Sequence, residues 1–549
     1  MRKKRVLFIT EATYLNTGYS TYSKQILDRL YDSKKYEIAE FSVYGGADDP
    51  RRGSIRWKNY ANMPEQGRTD HLEVYNSNPS NQFGAWRFER VCLDFEPDSV
   101  AMIRDYWMDS FVYHSPYRRI FKTAWMPTVD AKWQNEEWVD VFSNMDYVLT
   151  YSDWAKGILK EQGGESINLC GVASPCAPPV YVPMDKMACR KELGIPEESH
   201  IVGTVMRNQR RKLFPVLIEA FGRYLKESGS TNTYLYMHTS YPDAGWNLAQ
   251  LLHDNEVSSR VLMSYVCEKC KKLDVSLFND SRKQCSNCKQ FSSCPSSVSN
   301  GLDDSTLAKV YNCMDLYVQP ANSEGWGCPI TEAASCGIPL AVTDYSAMED
   351  FVDKLDAYPI ELSDTYKELE TGCERAVPSK DSLVNIFKDF FSKPKEERLE
   401  LSNKTRRLYE ENYSWEKTVK VWSDVIDDCP FADWKADANI MPVVDIPINQ
   451  ESNNAFMEAI CASYIPYDPY KNSYFMNAML RDLNRGMTKV NFDSFFGQEG
   501  NPFSDGKNRS MSRENVKAFL INRLKQHNLW ESARLNRSLL KDSGEKWLN

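Results

Sequence analysis

The chain has 549 residues, enough for two or three domains, and it is 42% hydrophobic and 26% charged. That balance excludes wholesale disorder and collagen-like repeats, and no apolar run approaches the roughly eighteen residues a spanning helix needs. The formal net charge of −9 argues against a surface made throughout for polyanions.

The chain opens on basic residues followed by an apolar run of five residues, 6–10, which Glu11 breaks at once. The run is too short for a secretion signal and reads as a first β-strand. After a loop at Asn16–Ser20, Tyr22, Ile26 and Leu30 recur at helical spacing, and residues 36–44 read as the next strand. Residues 146–150 predict a further strand, and residues 154–160 a helix. Strand, loop, helix, strand in this order means a parallel sheet covered by helices. Prolines at 175, 178, 179, 183 and 196 suggest an interdomain linker. The alternation then restarts. Residues 201–206, 233–239, 260–266, 315–319 and 338–343 predict strands, and Leu217, Ala220, Phe221, Tyr224 and Leu225 mark one helix face.

The fold expected is therefore α/β, with two doubly wound Rossmann-like domains facing a cleft. The expected division is an N-terminal domain over 1–185, a second domain over 195–430, a small insert at 264–298 and a C-terminal extension of unknown fold over 431–549. Within that extension Val516, Leu520 and Leu524 share a helical face, and residues 507–549 carry ten Lys/Arg against four Asp/Glu. The bland reading of this +6 tail, a solvated helix face, is preferred over anion binding. The fifteen cysteines are odd in number and mostly scattered, which suits a reducing, cytoplasmic setting without disulfides.

The segment from Gln319 to Pro339 carries the most chemistry. It joins two predicted strands, with Pro329 placed to open a helix and Gly337 to end it. Gly325 and Gly327 would let the backbone approach a ligand, and the helix N-terminus around Ile330 and Thr331 suits a diphosphate. Glu324 and Glu332, eight positions apart, offer two carboxylates, which accept hydrogen bonds from vicinal hydroxyls.

This segment, read from Glu324 to Pro339 as E-G-W-G-C-P-I-T-E-A-A-S-C-G-I-P, resembles the signature of the group 1 (family 4) retaining glycosyltransferases of GT-B fold. The resemblance implies that Glu324 contacts the donor sugar and Glu332 the nucleotide ribose. It makes Gly325, Trp326, Gly327, Pro329, Ile330 and Thr331 the donor-binding turn. Upstream, residues 202–212 resemble the family's strand ending in an arginine with a lysine five residues on, so Arg207 and Lys212 would neutralise the leaving nucleoside diphosphate. Gly18 resembles the family's N-domain loop glycine, and Asp130 falls at the expected strand end. The family histidine at that strand end is missing. Thr128 and Asp130 stand there, and His114 is the nearest substitute. No Asp-x-Asp occurs, so a metal-bridged diphosphate is not expected. The resemblance implies front-face attack, the departing phosphate helping to deprotonate the acceptor.

Cys267, Cys270, Cys285 and Cys288 form two C-x2-C pairs with zinc-ribbon spacing. A structural zinc that staples an otherwise coreless insert is the first expectation, with partner contact second, because Lys269, Lys271, Lys272, Arg282, Lys283 and Lys289 make the insert basic. The partner expected is a nucleotide-sugar donor. The acceptor and oligomeric state are open, and the insert and tail keep nucleic acid, including a modified base, among the acceptors weighed. A non-catalytic transferase-like scaffold is the competing class, and a related epimerase is disfavoured by the intact segment at Glu324–Glu332.

Overall fold

A computed structural model describes residues 2–434 apart from Pro116, Arg119 and Val298. The chain divides into two units: Met1–Trp125 with Met145–Tyr147 and the chain from Val425, and Met126–Asn144 with Val148–Asp424.

In the first unit, strands β1 (Lys4–Glu11), β2 (Tyr36–Val43), β3 (Lys58–Ala61), β4 (Ser99–Met102) and β5 (Lys122–Trp125) are ordered β3-β2-β1-β4-β5, and all pair in parallel. Their continuous apolar runs follow from burial on both faces, and Val6 to Ile9 are fully buried. The helix Gly18–Asp32 begins where the Thr17 side chain accepts from Ser20 N, and it buries Tyr22, Ile26, Leu27 and Leu30. The first residues of the expected C-terminal extension belong to this unit. Trp434 is buried and donates to the Pro97 carbonyl at 2.9 Å, and Ala432 N donates to Asp98 at 2.8 Å. The rest of that extension, with its basic tail and the face at Val516, Leu520 and Leu524, lies outside the described residues.

In the second unit, β6 (Tyr147–Thr150, within this unit from Val148) pairs in parallel with β7 (Leu169–Val172). A larger sheet follows, from β8 (His200–Val205), β9 (Thr233–His238), β10 (Val261–Cys267), β11 (Leu273–Leu277), β12 (Ser293–Pro295), β13 (Leu316–Gln319), β14 (Leu340–Thr343) and β15 (Tyr358–Ile360). Its order is β11-β10-β9-β8-β13-β14-β15, with β12 also on β10. It is parallel except where β11 and β12 run antiparallel to β10. The order reverses direction between β8 and β13, and in open α/β sheets ligands bind at the carboxyl ends beside such a reversal.

The proline-rich stretch is more than a linker. Asp185 caps a helix at Lys186–Leu193, closed by Gly194 in the left-handed region. Its Arg190 and Lys186 each reach Asp315 at 2.7 Å, and Arg190 is 3% exposed. The Asp315 carboxylate also accepts from Ile201 N at 2.8 Å, so this helix is fastened to the sheet. A hairpin of β16 (Leu362–Lys367) and β17 (Glu374–Pro378) is a second addition.

Candidate functional site

The β8 and β13 strands deliver their following loops to the same sheet end. After β8 the chain makes a short turn at Arg210–Lys212, and Leu213 adopts a positive φ before the helix Phe214–Ser228. After β13, residues 320–327 lead to the helix Cys328–Ser335. Glu324 sits in this second loop and the basic turn closes on it. Lys212 Nζ is bonded to Glu324 Oε1, Arg211 Nη1 lies 2.7 Å from Oε2, and Gln319 Nε2 donates to Oε1 at 2.7 Å. Glu324 N donates to Ser346 Oγ at 2.9 Å, which fixes the backbone as well. The Glu324 and Lys212 side chains are only 5% and 8% exposed, whereas Arg211 is 42% exposed.

Burial by itself would push the Glu324 carboxyl up, but the Arg211 and Lys212 charges overcome it and hold the group well below the usual carboxylate range. Burial and the Arg211 charge push Lys212 down, against the pull of Glu324. Glu332 has the opposite fate. It lies in the helix and accepts from Tyr311 Oη at 2.6 Å. Burial raises its carboxyl to about 7, the Tyr311 bond pulls against that, and Asp304 adds to it.

Of the two cations expected from sequence, only Lys212 touches the motif. Arg207 is held by Asp243 through Nε at 3.0 Å and Nη2 at 2.8 Å. Ser240 Oγ and Ala244 N also donate to that carboxylate. Arg211 was not singled out by spacing, because nothing in three consecutive basic residues says which one turns toward Glu324.

The turn offers fewer anion donors than its sequence suggests. Pro329 has no N–H, and Ile330 N already donates to the Gly327 carbonyl at 2.8 Å. Thr331 is buried, and its hydroxyl donates to the Cys328 carbonyl at 2.8 Å. Gly327 has φ +93°, and a Cβ there would lie 2.8 Å from Ile330 Cδ1, so glycine is required by both conformation and space. At Gly325 a Cβ would lie 2.4 Å from Thr128 Cγ2, so its smallness admits a neighbouring segment of the chain. Trp326, expected on the donor side, is instead a core side chain. It is 4% exposed and packs edge-on against Phe351 at 4.8 Å and Tyr413 at 5.4 Å.

Asp130 is brought to the loop that precedes Glu324. It is paired with Arg375 Nη1 at 2.7 Å, and Ser323 Oγ donates to it at 3.3 Å. Arg375, on β17, also donates to Ser323 Oγ at 2.8 Å and pairs with Glu368 at 2.8 Å. Neither Arg375 nor the hairpin carrying it was marked by a motif. Gly18 lies in the first unit, where it opens a helix, and a Cβ there would meet nothing within 4 Å. His114, also in that unit, is exposed and sits edge-on to Tyr113.

The four motif cysteines converge. Cys267 ends β10, and the Sγ atoms of Cys267, Cys270, Cys285 and Cys288 all lie within 4.8 Å of one another. Two of the separations, Cys267 to Cys288 and Cys270 to Cys285, are 3.6 Å. A tetrahedral ion with metal–sulfur bonds of about 2.3 Å places its ligands about 3.8 Å apart, so the donor set fits one structural metal. Each knuckle closes alike. Lys271 N donates to the Cys267 carbonyl at 3.0 Å and Lys289 N to that of Cys285 at 3.1 Å, both lysines having positive φ. Part of the insert's basic charge is structural. Arg282 pairs with Glu268, and Lys283 lies 3.7 Å over the Tyr265 ring. Because β11 and β12 both pair with β10, the insert extends the second sheet. Among the described residues no helix is long and apolar enough to cross a membrane.

Comparison with known proteins follows the same lines. The family model described as "Glycosyl transferases group 1" matches residues 297–407, the span that contains both glutamates. No curated protein matches the sequence. Among solved structures, sucrose-phosphate synthase from Thermosynechococcus elongatus is similar at 14% identity and a TM-score of 0.54, over 78% of this chain and 98% of that one. A glycosyltransferase from Rickettsia africae is similar at 13% identity and TM-score 0.54, over 78% and 99%. Anabaena Alr3699/HepE, in complex with UDP and glucose, is similar at 12% identity and TM-score 0.54, over 77% and 99%. The chain thus has the GT-B fold and carries, at residues 297–407, the matched segment of the group 1 glycosyltransferases.

Proposed function

We propose that this protein transfers a sugar from a nucleoside diphosphate sugar to an acceptor with retention of anomeric configuration. The observation that carries the reading is the closure of Arg211 and Lys212 on Glu324 at the sheet reversal between β8 and β13. Glycosyl transfer expels a dianionic phosphate, and fixed cations at that point stabilise the charge as it develops. In this reading Lys212 faces the leaving diphosphate, Glu324 accepts from donor-sugar hydroxyls, and Glu332 binds the ribose. Asp130, steadied by Arg375, lies against the loop before Glu324 and borders the sugar. Arg207, engaged by Asp243, is given no role. Uridine diphosphate sugars are the first donors to try, because the HepE structure holds UDP and glucose. No protein carboxylate is assigned as nucleophile. The acceptor attacks the anomeric carbon on the face the diphosphate leaves, and the departing phosphate oxygen takes the acceptor proton. A structural zinc held by the four cysteines is part of the same reading.

The test is a panel of nucleotide sugars scored for hydrolysis without acceptor, followed by anomeric analysis of any transfer product by NMR. Hydrolysis of one donor by wild type, lost in a folded Lys212→Ala variant, supports the reading. Donor binding without hydrolysis or transfer points to a binding scaffold. An inverted product removes the retaining assignment.

A further inference from the structure

Trp133 has φ +58°, a left-handed backbone that a bulky side chain rarely adopts, yet it is 51% exposed. Core packing does not call for this conformation. Bonds on both sides impose it. Lys132 N donates to Tyr345 Oη at 3.1 Å, and the Lys132 carbonyl accepts from Glu374 N at 3.1 Å. Gln134 N donates to Gln162 Oε1 at 2.9 Å, and Gln162 Nε2 donates back to the Gln134 carbonyl at 3.1 Å. Gln134 Nε2 also donates to the Ala131 carbonyl at 2.7 Å. The chain is thus fastened immediately before and after Trp133, and the indole is presented to solvent on a fixed backbone. Strain held in place by its surroundings is a mark of functional positions.

The indole belongs to the segment that meets the site. Asp130, three residues earlier, pairs with Arg375 and accepts from Ser323 Oγ, the neighbour of Glu324. Lys132 bridges antiparallel to Glu374, so this segment borders β17 on one side. On the other side, on β16, Tyr366 lies opposite Arg375, is exposed, and accepts through its hydroxyl from Asn322 Nδ2 at 3.0 Å. Exposed aromatic residues therefore stand on both segments that border β17, with the part-exposed carboxylates of Asp130 and Glu368 joined by Arg375. A pyranose has an apolar face of C–H groups and a rim of hydroxyls. The face suits the negative face of an aromatic ring, and the rim suits carboxylates that accept hydrogen bonds. Charge favours the same class. Lys132 is set against the exposed Glu136, Glu137 and Asp140, and the Arg375 charge is spent on Asp130 and Glu368, so a phosphate backbone would meet repulsion here.

We propose that Trp133 is the acceptor platform of this protein and that the acceptor is a carbohydrate, stacked by one sugar face on the indole with its hydroxyls toward Asp130. The assignment rests on the sugar-transfer reading above and deepens it by naming the acceptor class. Trp133 holds the acceptor without touching the reacting atoms, so it sets acceptor affinity and leaves the chemical step alone.

The experiment uses the full-length protein with Trp133→Gly, which suits the left-handed backbone, and Trp133→Phe, which keeps an aromatic face. Binding of mono- to tetrasaccharides of glucose, galactose, mannose and N-acetylglucosamine is read by saturation-transfer NMR, with a thymidine decanucleotide as the nucleic-acid probe. Hydrolysis of nucleotide sugars without acceptor is measured on the same preparations. Wild type is expected to bind at least one saccharide. Trp133→Gly should weaken it about tenfold and Trp133→Phe about threefold, with donor hydrolysis within about twofold of wild type in both. Offered as acceptor, that saccharide should show a KM raised about tenfold in Trp133→Gly at a kcat within about twofold. Donor hydrolysis by a wild type that binds no saccharide, or a saccharide bound equally by Trp133→Gly, overturns the assignment and leaves the donor reading standing. So does loss of donor hydrolysis in both variants, which would place the residue on the donor side. Decanucleotide binding that Trp133→Gly loses, without saccharide binding, overturns it in favour of a nucleic-acid acceptor. If wild type neither binds nor hydrolyses any nucleotide sugar, the donor reading itself fails and the acceptor assignment goes with it.

Discussion

Replacing Glu324 by glutamine tests the heart of the site, because the change keeps the shape and removes one charge from between two cations. Two effects of opposite sign follow. Lys212 is left nearly buried without its carboxylate, and losing one partner of a buried pair costs about 3–5 kcal/mol. The lower end applies, because Arg211 is 42% exposed and solvent screens its half of the pair. At roughly 2.1 cal/mol/K per residue over a unit of roughly 300 residues, about 3 kcal/mol lowers Tm by about 5 °C. Diphosphate binding moves the other way. One negative charge removed about 6 Å from a phosphate is worth about 2.8 kcal/mol at an effective dielectric of about 20. Halved for the open side of the site, this tightens UDP about tenfold. Transfer should nonetheless fall at least about a hundredfold, since the sugar loses an anionic acceptor in the transition state. Differential scanning calorimetry, UDP titration and turnover on one preparation measure all three. A variant that binds UDP more weakly than wild type, or keeps full turnover, refutes the placement of Glu324 between the cations and the sugar.

Glu332 gives a pH signature. Its folded-state carboxyl is raised to about 7, so its contribution to stability is complete below about pH 4.5 and is lost as pH rises through about 7. Thermal melts from pH 5 to 8 should show wild type losing about 2–3 kcal/mol that Glu332→Gln does not lose. Elemental analysis should find one zinc per chain, and Cys267→Ser with Cys285→Ser should abolish it and lower Tm, whereas Cys294→Ser, at a thiol outside the cluster, should keep the metal. Asp130→Asn leaves Arg375, whose side chain is 10% exposed, with Glu368 as its one remaining carboxylate among the described residues. A loss of about 1–2 kcal/mol in urea unfolding is expected, with a larger fall in kcat than in donor affinity. Trp326→Leu should destabilise by about 1–3 kcal/mol through lost packing on Phe351 and Tyr413, read by chemical denaturation.

Much of the sheet was legible because two-sided burial writes itself as continuous apolar runs. β1, β8 and β14 fall where such runs predict them. β4 was missed and β5 was implied only through the resemblance at Asp130, because Ser99–Met102 and Lys122–Trp125 have only four residues each and begin on polar side chains. The helix Lys186–Leu193 was hidden by its neighbours: prolines on both sides suggested a linker, but none lies within the helix. In the site, residue types and spacing pointed to Glu324, Glu332 and Lys212. They did not mark Arg211, since which of the three basic residues meets Glu324 depends on how the Arg210–Lys212 turn and the positive φ of Leu213 aim each side chain. Trp326 shows the same dependence on surroundings. A turn rich in glycine looks open in sequence, while the tryptophan within it points back into the core.

The two glutamates show why a motif needs its surroundings. They belong to one short segment, and a carboxylate is all that sequence can say of either. Glu324 falls in the loop ahead of the helix, where the turn after β8 supplies two cations, so it is ionised across the physiological range and can only accept hydrogen bonds. Glu332 falls within the helix, against Tyr311 and near Asp304, where burial outweighs the Tyr311 hydrogen bond and lifts the carboxyl to about 7. Such a group can donate as well as accept, which suits a vicinal diol whose hydroxyls do both. Environments that push the pKa values of paired carboxyl groups apart assign them different work, and here the division is made by the β8 turn on one side and the tyrosine-lined helix face on the other.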